Sequence, residues 1–199
     1  MDSPVSAWRA EKALPQNYRL LMRIDLVRNA KDLKKTTWLS LALAAAALGL
    51  GLWLMPAFPQ EGLAAASGRF GIGLLGMALY LVGHEAVHGL LMWLFSRQRP
   101  RFGFTLMYAY AGSEAYFAKN AYLCIALAPL AVWGVGLAAL CQSLPVVWFW
   151  PVWLVQVMNL SGSAGDVYVA WRIWRMSADV LVQDQGVAMT VYSRKMQVG

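Results

Sequence analysis

The sequence predicts an all-α integral membrane protein with about four transmembrane helices and small cytoplasmic β segments. Three observations carry that expectation. First, 59% of the 199 residues are hydrophobic and only 14% are charged, whereas soluble domains average about 45–50% and about 25%. Second, the excess is gathered into four long runs, each able to cross ~30 Å of hydrocarbon as a helix. Third, the basic residues fall almost wholly on one side of a four-run layout. Ten tryptophans and eight tyrosines fit anchoring at a membrane interface.

Residues 1–36 form a basic lead-in, too polar and too long for the n-region of a cleavable signal peptide. The first apolar run is therefore expected to act as an uncleaved anchor. Within the lead-in, NYRLLMRIDLVRNAKDLKK (17–35) reads as an amphipathic helix on the membrane surface, with a solvated basic segment as the alternative. The first run is Thr37 to Phe58, closed by the Pro-containing PAFPQEG. The second begins at Leu63 or Phe70, a choice blurred by Arg69, and ends at Phe95. A cytoplasmic connection, 96–119, contains RFGFTLMYAYAG (101–112), aromatic and partly alternating as a strand would be. The third run is Asn120 to Cys141, and the fourth is Pro145 to about Trp171, interrupted by NLSGSAGD.

The tail places Asp184 to Gly186 between two β-prone stretches of VLVQDQGVAMTVY (180–192), as a hairpin does. The chain thus divides into a cytoplasmic segment 1–36, a membrane domain 37–175 and a cytoplasmic tail 176–199. Of seventeen basic residues, only Arg69 lies outside 1–36, 96–119 and the region after 171. The positive-inside rule then puts both termini in the cytoplasm of a multi-pass plasma- or inner-membrane protein. The net charge of +7 is no nucleic-acid footprint. The basic blocks flank the apolar runs instead of lining one face, and the lipid bilayer accounts for them. Cys124 and Cys141 belong to one helix and lie too far apart to bridge.

The second run carries GHEAVHG (83–89) inside otherwise hydrocarbon-like sequence. HEAVH matches H-E-x-x-H. On a helix His84 and His88 lie one turn apart on one face, and two imidazole nitrogens can meet one zinc ion at ~2.0–2.1 Å. Glu85, rotated by about 100°, is poorly placed as a ligand but well placed as general base toward an activated water. Chance matches to this pattern occur, and so does plain polar packing. Here, however, the only two histidines of the chain are both in the motif. An idle carboxylate within a span would cost roughly 2.5–3.5 kcal/mol on insertion scales.

A catalytic zinc takes three protein ligands and keeps one position open. With no third histidine, a carboxylate must serve, and Asp166 stands out. It closes the small, polar stretch 159–166, where Gly162 and Gly165 allow the backbone to loosen. If the second run starts at Leu63, His84 and Asp166 lie at matching depth, each ~21 residues into its run. Glu114, Asp179 and Asp184, all in cytoplasmic segments, are the alternatives. Asn159 is a candidate donor to the oxyanion of a tetrahedral intermediate, with interhelical hydrogen bonding as its other role. Tyr80, one turn before His84, reads as packing or as support for the ligand. Gly89 leaves room beside the metal for a substrate backbone.

HEAVHG on a second span, RFGF in the connection and NLSGSAGD on a last span together resemble a domain-of-unknown-function family described as "Putative zincin peptidase", itself similar to the site-2 protease class of intramembrane metalloproteases. The resemblance covers roughly residues 70–192. It implies ligands His84, His88 and Asp166, base Glu85, and Asn159 near the oxyanion. It departs from the site-2 pattern of Asn, Pro three residues on, and Asp-Gly about five later. Gly162 stands for that Pro, Asp166 comes one residue early, and Val167 stands for that Gly.

The function expected is therefore zinc-dependent hydrolysis of peptide bonds in membrane or membrane-adjacent proteins. Substrate would add to an exposed strand edge such as 101–112. A metal transporter and an inactive membrane scaffold are the rivals. A transporter needs a polar path on both sides of the site, yet the outer halves of these runs are nearly free of polar residues.

Overall fold

A computed structural model describes residues 8–55, 62–104 and 109–194. Residues 56–61, which hold most of the Pro-containing connection, the middle of the 101–112 stretch and Lys195 lie outside the described residues.

The first long helix, α1 (Ala30–Leu54), starts because Asn29 caps it. Its side-chain oxygen accepts from the backbone N–H groups of Lys31 and Asp32, and Asp32 puts negative charge at the positive helix end. Helix α2 (Leu63–Ser96) has 34 residues, about 51 Å of helix, and ends where Arg97 turns into the left-handed region at φ 56°. Of the two possible starts, the chain takes Leu63. Helix α3 (Lys119–Ser143) runs through an internal proline, Pro129. Among the described residues, α1, α2 and α3 are the helices long and apolar enough to cross a membrane.

The fourth apolar run is not one helix. After a 3₁₀ turn (Val146–Trp148) it forms α4 (Phe149–Gly162), breaks at Ser163, and resumes as α5 (Ala164–Trp174). The break falls in the small-residue stretch where loosening was expected. Helix α5 is latched to α1. Tyr168 donates to Asp32 Oδ1 at 2.7 Å and Arg172 reaches the same oxygen at 3.2 Å. Arg172 is thereby engaged by α1, away from Asp166.

The β content exceeds two local hairpins. Strands β3 (Arg101–Phe104) and β4 (Ala109–Gly112) pair antiparallel by themselves. Strands β1 (Ala10–Glu11), β2 (Tyr18–Asp25), β5 (Tyr116–Ala118), β6 (Val180–Asp184) and β7 (Ala188–Arg194) make one antiparallel sheet in the order β1-β5-β6-β7-β2. The β6–β7 hairpin turns through Gly186 at φ +97°, with Asp184 accepting its N–H at 2.8 Å.

The amphipathic surface helix expected over 17–35 is not formed. Tyr18–Asp25 is instead a strand paired along its length with β7, followed by a turn in which Asp25 accepts from Val27 and Arg28. The partner strand decides the matter. Tyr18 and Ile24 are buried, Ile24 completely, in places a surface helix could not offer. The sheet packs through Ile24, Phe117, Val182 and Val191 onto Ile125 of α3 and Val169 and Ile173 of α5. It therefore abuts the same ends of the helices that carry the polar residues.

Candidate metal centre

Helix α2 delivers His84 and His88 to one face, both buried, with ring centroids 4.9 Å apart. Each ring is held by its outer nitrogen. His88 Nδ1 lies 2.9 Å from the Ile125 carbonyl oxygen. A carbonyl only accepts, so Nδ1 carries a proton and Nε2 is the nitrogen left to face Asp166 or a metal. His84 Nδ1 lies 2.9 Å from the Tyr80 hydroxyl. Tyr80 therefore braces the His84 ring as well as packing edge-on against Trp133.

Both Nε2 atoms point at Asp166, in the first turn of α5. His84 Nε2 is 3.2 Å from Oδ2 and His88 Nε2 is 3.5 Å from Oδ1. Ligands ~2.0–2.1 Å from a tetrahedral zinc lie about 3.3–3.4 Å from one another, so these spacings fit such an ion. The ligand atoms of His84, His88 and Asp166 all lie within 4.8 Å of one another. Among the described residues this is the group of His, Cys, Asp or Glu side chains able to hold a metal. Two neutral imidazoles, one carboxylate and second hydrogen bonds on both rings make a donor set that suits zinc.

The break at Ser163 is what brings the carboxylate here. A Cβ on Gly162 would sit 3.9 Å from the Tyr80 hydroxyl, and one on Gly165 would sit 3.2 Å from Leu26 Cδ1. The chain passes close to α2 on one side and to the β2–α1 turn on the other. That turn is tied to the sheet by the Leu26 N–H on the Val187 carbonyl at 3.1 Å.

A cavity of about 230 Å³ opens against the triad, and its wall includes Glu85, Tyr122 and Asp184. Glu85 also faces a second, apolar groove between α2 and the β3–β4 hairpin, lined by Val82, Phe102 and Phe104 among others. Ala111 of β4 lines the same cavity wall as Glu85. Glu85 thus sits where the cavity beside the triad meets a strand edge and an apolar groove.

Two expectations need correction. Asn159 is fully buried, but its amide donates to the Leu130 carbonyl of α3 at 3.3 Å and lies near Gln156. It is outside the cavity wall. Seven residues keep Asn159 and Asp166 on one face only in an unbroken helix, and the chain breaks between them. Gly89 does not hold space open. A Cβ there would meet Phe102 Cζ at 2.3 Å, so the glycine seats the β3 ring against α2.

Of the alternative ligands, Glu114 is exposed and pairs with Arg101 at 2.7 Å, and Asp179 lies outside the cavity wall. Asp184 is in the wall but is engaged otherwise. It accepts from the Tyr122 hydroxyl at 2.8 Å and from Gly186 N–H. Burial pushes its carboxyl up to about 6. Tyr122 and the Ile125 carbonyl were missed in the sequence. A tyrosine in an apolar helix reads as packing, and a backbone carbonyl has no side-chain signature.

The model of a protein family described as "Putative zincin peptidase" matches residues 77–181. The match spans His84, Glu85, His88, Ile125, Asn159 and Asp166. No curated protein and no solved structure matches the chain.

Proposed function

Because the chain belongs to the family described as "Putative zincin peptidase", we propose that it is a zinc-dependent, membrane-embedded metallopeptidase cutting membrane or membrane-adjacent proteins. The observation that carries the reading is the convergence of His84 Nε2, His88 Nε2 and the Asp166 carboxylate at 3.2 and 3.5 Å, with Glu85 beside them. A zinc bound there supplies Lewis acidity, polarising a carbonyl and bringing the pKa of a coordinated water towards ~7. The residues of the chain do the rest. His88 is presented through Nε2 by the Ile125 carbonyl, and the Tyr80 hydroxyl braces the His84 ring at Nδ1. Glu85 takes the proton of the attacking water and returns it to the leaving amine.

The substrate class follows from the surroundings of Glu85. The apolar groove between α2 and β3–β4 favours an apolar, unwound peptide segment, and β4 offers it backbone partners. In this reading α1, α2 and α3 each cross the bilayer, and α4 with α5 completes a fourth crossing whose break lines the polar cavity. The sheet then lies on the cytoplasmic side with both termini, in keeping with the basic residues around it. Glu85→Gln tests the function. Hydrolysis of a membrane-anchored peptide substrate is abolished while zinc content stays at the wild-type level; a variant that still hydrolyses it removes Glu85 from the chemistry. A transporter would keep its metal flux in that variant.

A further inference from the structure

A proline inside an apolar helix leaves one carbonyl, four residues earlier, without its intrahelical donor. In α3 that proline is Pro129 and the carbonyl is that of Ile125. Both residues are buried, Ile125 completely, so water cannot complete the carbonyl. An orphaned carbonyl in such surroundings is costly. Its partner is His88 Nδ1, at 2.9 Å on the neighbouring helix. Helix α3 is otherwise continuous from Lys119 to Ser143, so the vacancy arises at this one turn and the histidine fills it.

We propose that Pro129 is a positioning residue for the metal centre: lacking an N–H, it leaves the Ile125 carbonyl to His88 Nδ1–H and so fixes Nε2 as the nitrogen offered to the metal. The inference rests on reading His84, His88 and Asp166 as a zinc site. The proline acts in two ways. It removes the competing donor, and its ring crowds the carbonyl four residues back, turning it off the helix axis. His84 has a different arrangement. Its Nδ1 meets a hydroxyl, which donates or accepts and leaves the tautomer unfixed. The tautomer of the pair is thus set from the α3 side, through His88.

The test compares zinc affinity, by competition with a chromophoric chelator, in wild type, Pro129→Ala and Pro145→Ala. Pro145 precedes the 3₁₀ turn before α4 and serves as control. Outer partners of ligating histidines are typically worth 10–100-fold in metal affinity, so Pro129→Ala weakens zinc binding by at least tenfold and Pro145→Ala leaves it unchanged. The thermal midpoint of metal-free Pro129→Ala stays level or rises, because a helix-breaking residue has gone. A merely structural proline would show no loss of affinity. Equal affinity in wild type and Pro129→Ala, or an equal loss in the control, overturns the inference. Absence of stoichiometric zinc in wild type overturns the metal reading beneath it instead.

A second measurement needs no variant. The chain has only two histidines, so ¹⁵N-histidine labelling resolves both rings. His88 is expected to show a protonated Nδ1 with and without zinc. An unprotonated Nδ1 on His88, with or without zinc, contradicts the assignment.

Discussion

At the scale of single residues, the outer hydrogen bonds matter as much as the ligands. Tyr80→Phe keeps the ring against Trp133 but deletes the hydroxyl on His84 Nδ1. Zinc affinity is expected to fall about tenfold, with the fold retained, as chelator competition and circular dichroism would show; an unchanged affinity would make Tyr80 a packing residue alone. The shared face of His84 and His88 was legible in the sequence, because one-turn spacing in His84-Glu-Ala-Val-His88 dictates it whatever the rest of the chain does. Asp166 was legible for a similar reason, as a carboxylate ending a small-residue stretch in apolar surroundings. Asn159 and Gly89 were ambiguous in the sequence because one residue type serves two purposes. An amide joins helices or receives an oxyanion, and a glycine admits a ligand or a neighbouring ring. Only the direction of the side chain, or what fills the space above the glycine, separates the two, and both depend on distant elements.

At the scale of elements, β4 and β6 shape the cavity from outside the helices. Ala111 lines the cavity beside Glu85. Ala111→Pro should therefore cut peptide turnover by more than tenfold while leaving zinc content alone, measured on the same preparation; normal turnover would detach β4 from the mechanism. Asp184 gives a pH prediction. Its carboxyl is raised by burial to about 6, from about 3.9 in an unfolded chain. Between those values the folded state holds more protons than the unfolded one, so stability falls as pH rises from about 4 to 6. Asp184→Asn should flatten that slope in thermal melts of metal-free protein. A slope unchanged by the substitution would assign it to other groups.

The β6–β7 hairpin was readable from Asp184 to Gly186, since a turn is local chemistry. Strand β2 was not. YRLLMRID alternates imperfectly, and its strand character comes from β7, more than 160 residues away in the chain.

At the scale of the molecule, the sheet joins the chain's N-terminal strands to its C-terminal hairpin. It seats them against α3 and α5, next to the triad. If the helices cross a bilayer as proposed, the sheet and both ends share the cytoplasmic side, and the α3–α4 connection faces the other. In a background lacking Cys124 and Cys141, a cysteine at Leu144 should react with an impermeant maleimide from outside intact cells, and one at Trp8 should not; the reverse pattern would invert the topology. Of the four apolar runs expected to be helical spans, three form long helices among the described residues and the fourth is divided into α4 and α5. The break at Ser163 was visible only as a run of small residues, because its geometry is set by what α2 and the β2–α1 turn press against it.

The central claim is that two imidazoles and a carboxylate on separate helices hold one zinc ion. Elemental analysis of purified wild type beside Asp166→Ala tests it most directly. The account predicts about one zinc per wild-type chain and a loss of most of it in the variant. Equal zinc in the two proteins, or none in the wild type, would contradict it.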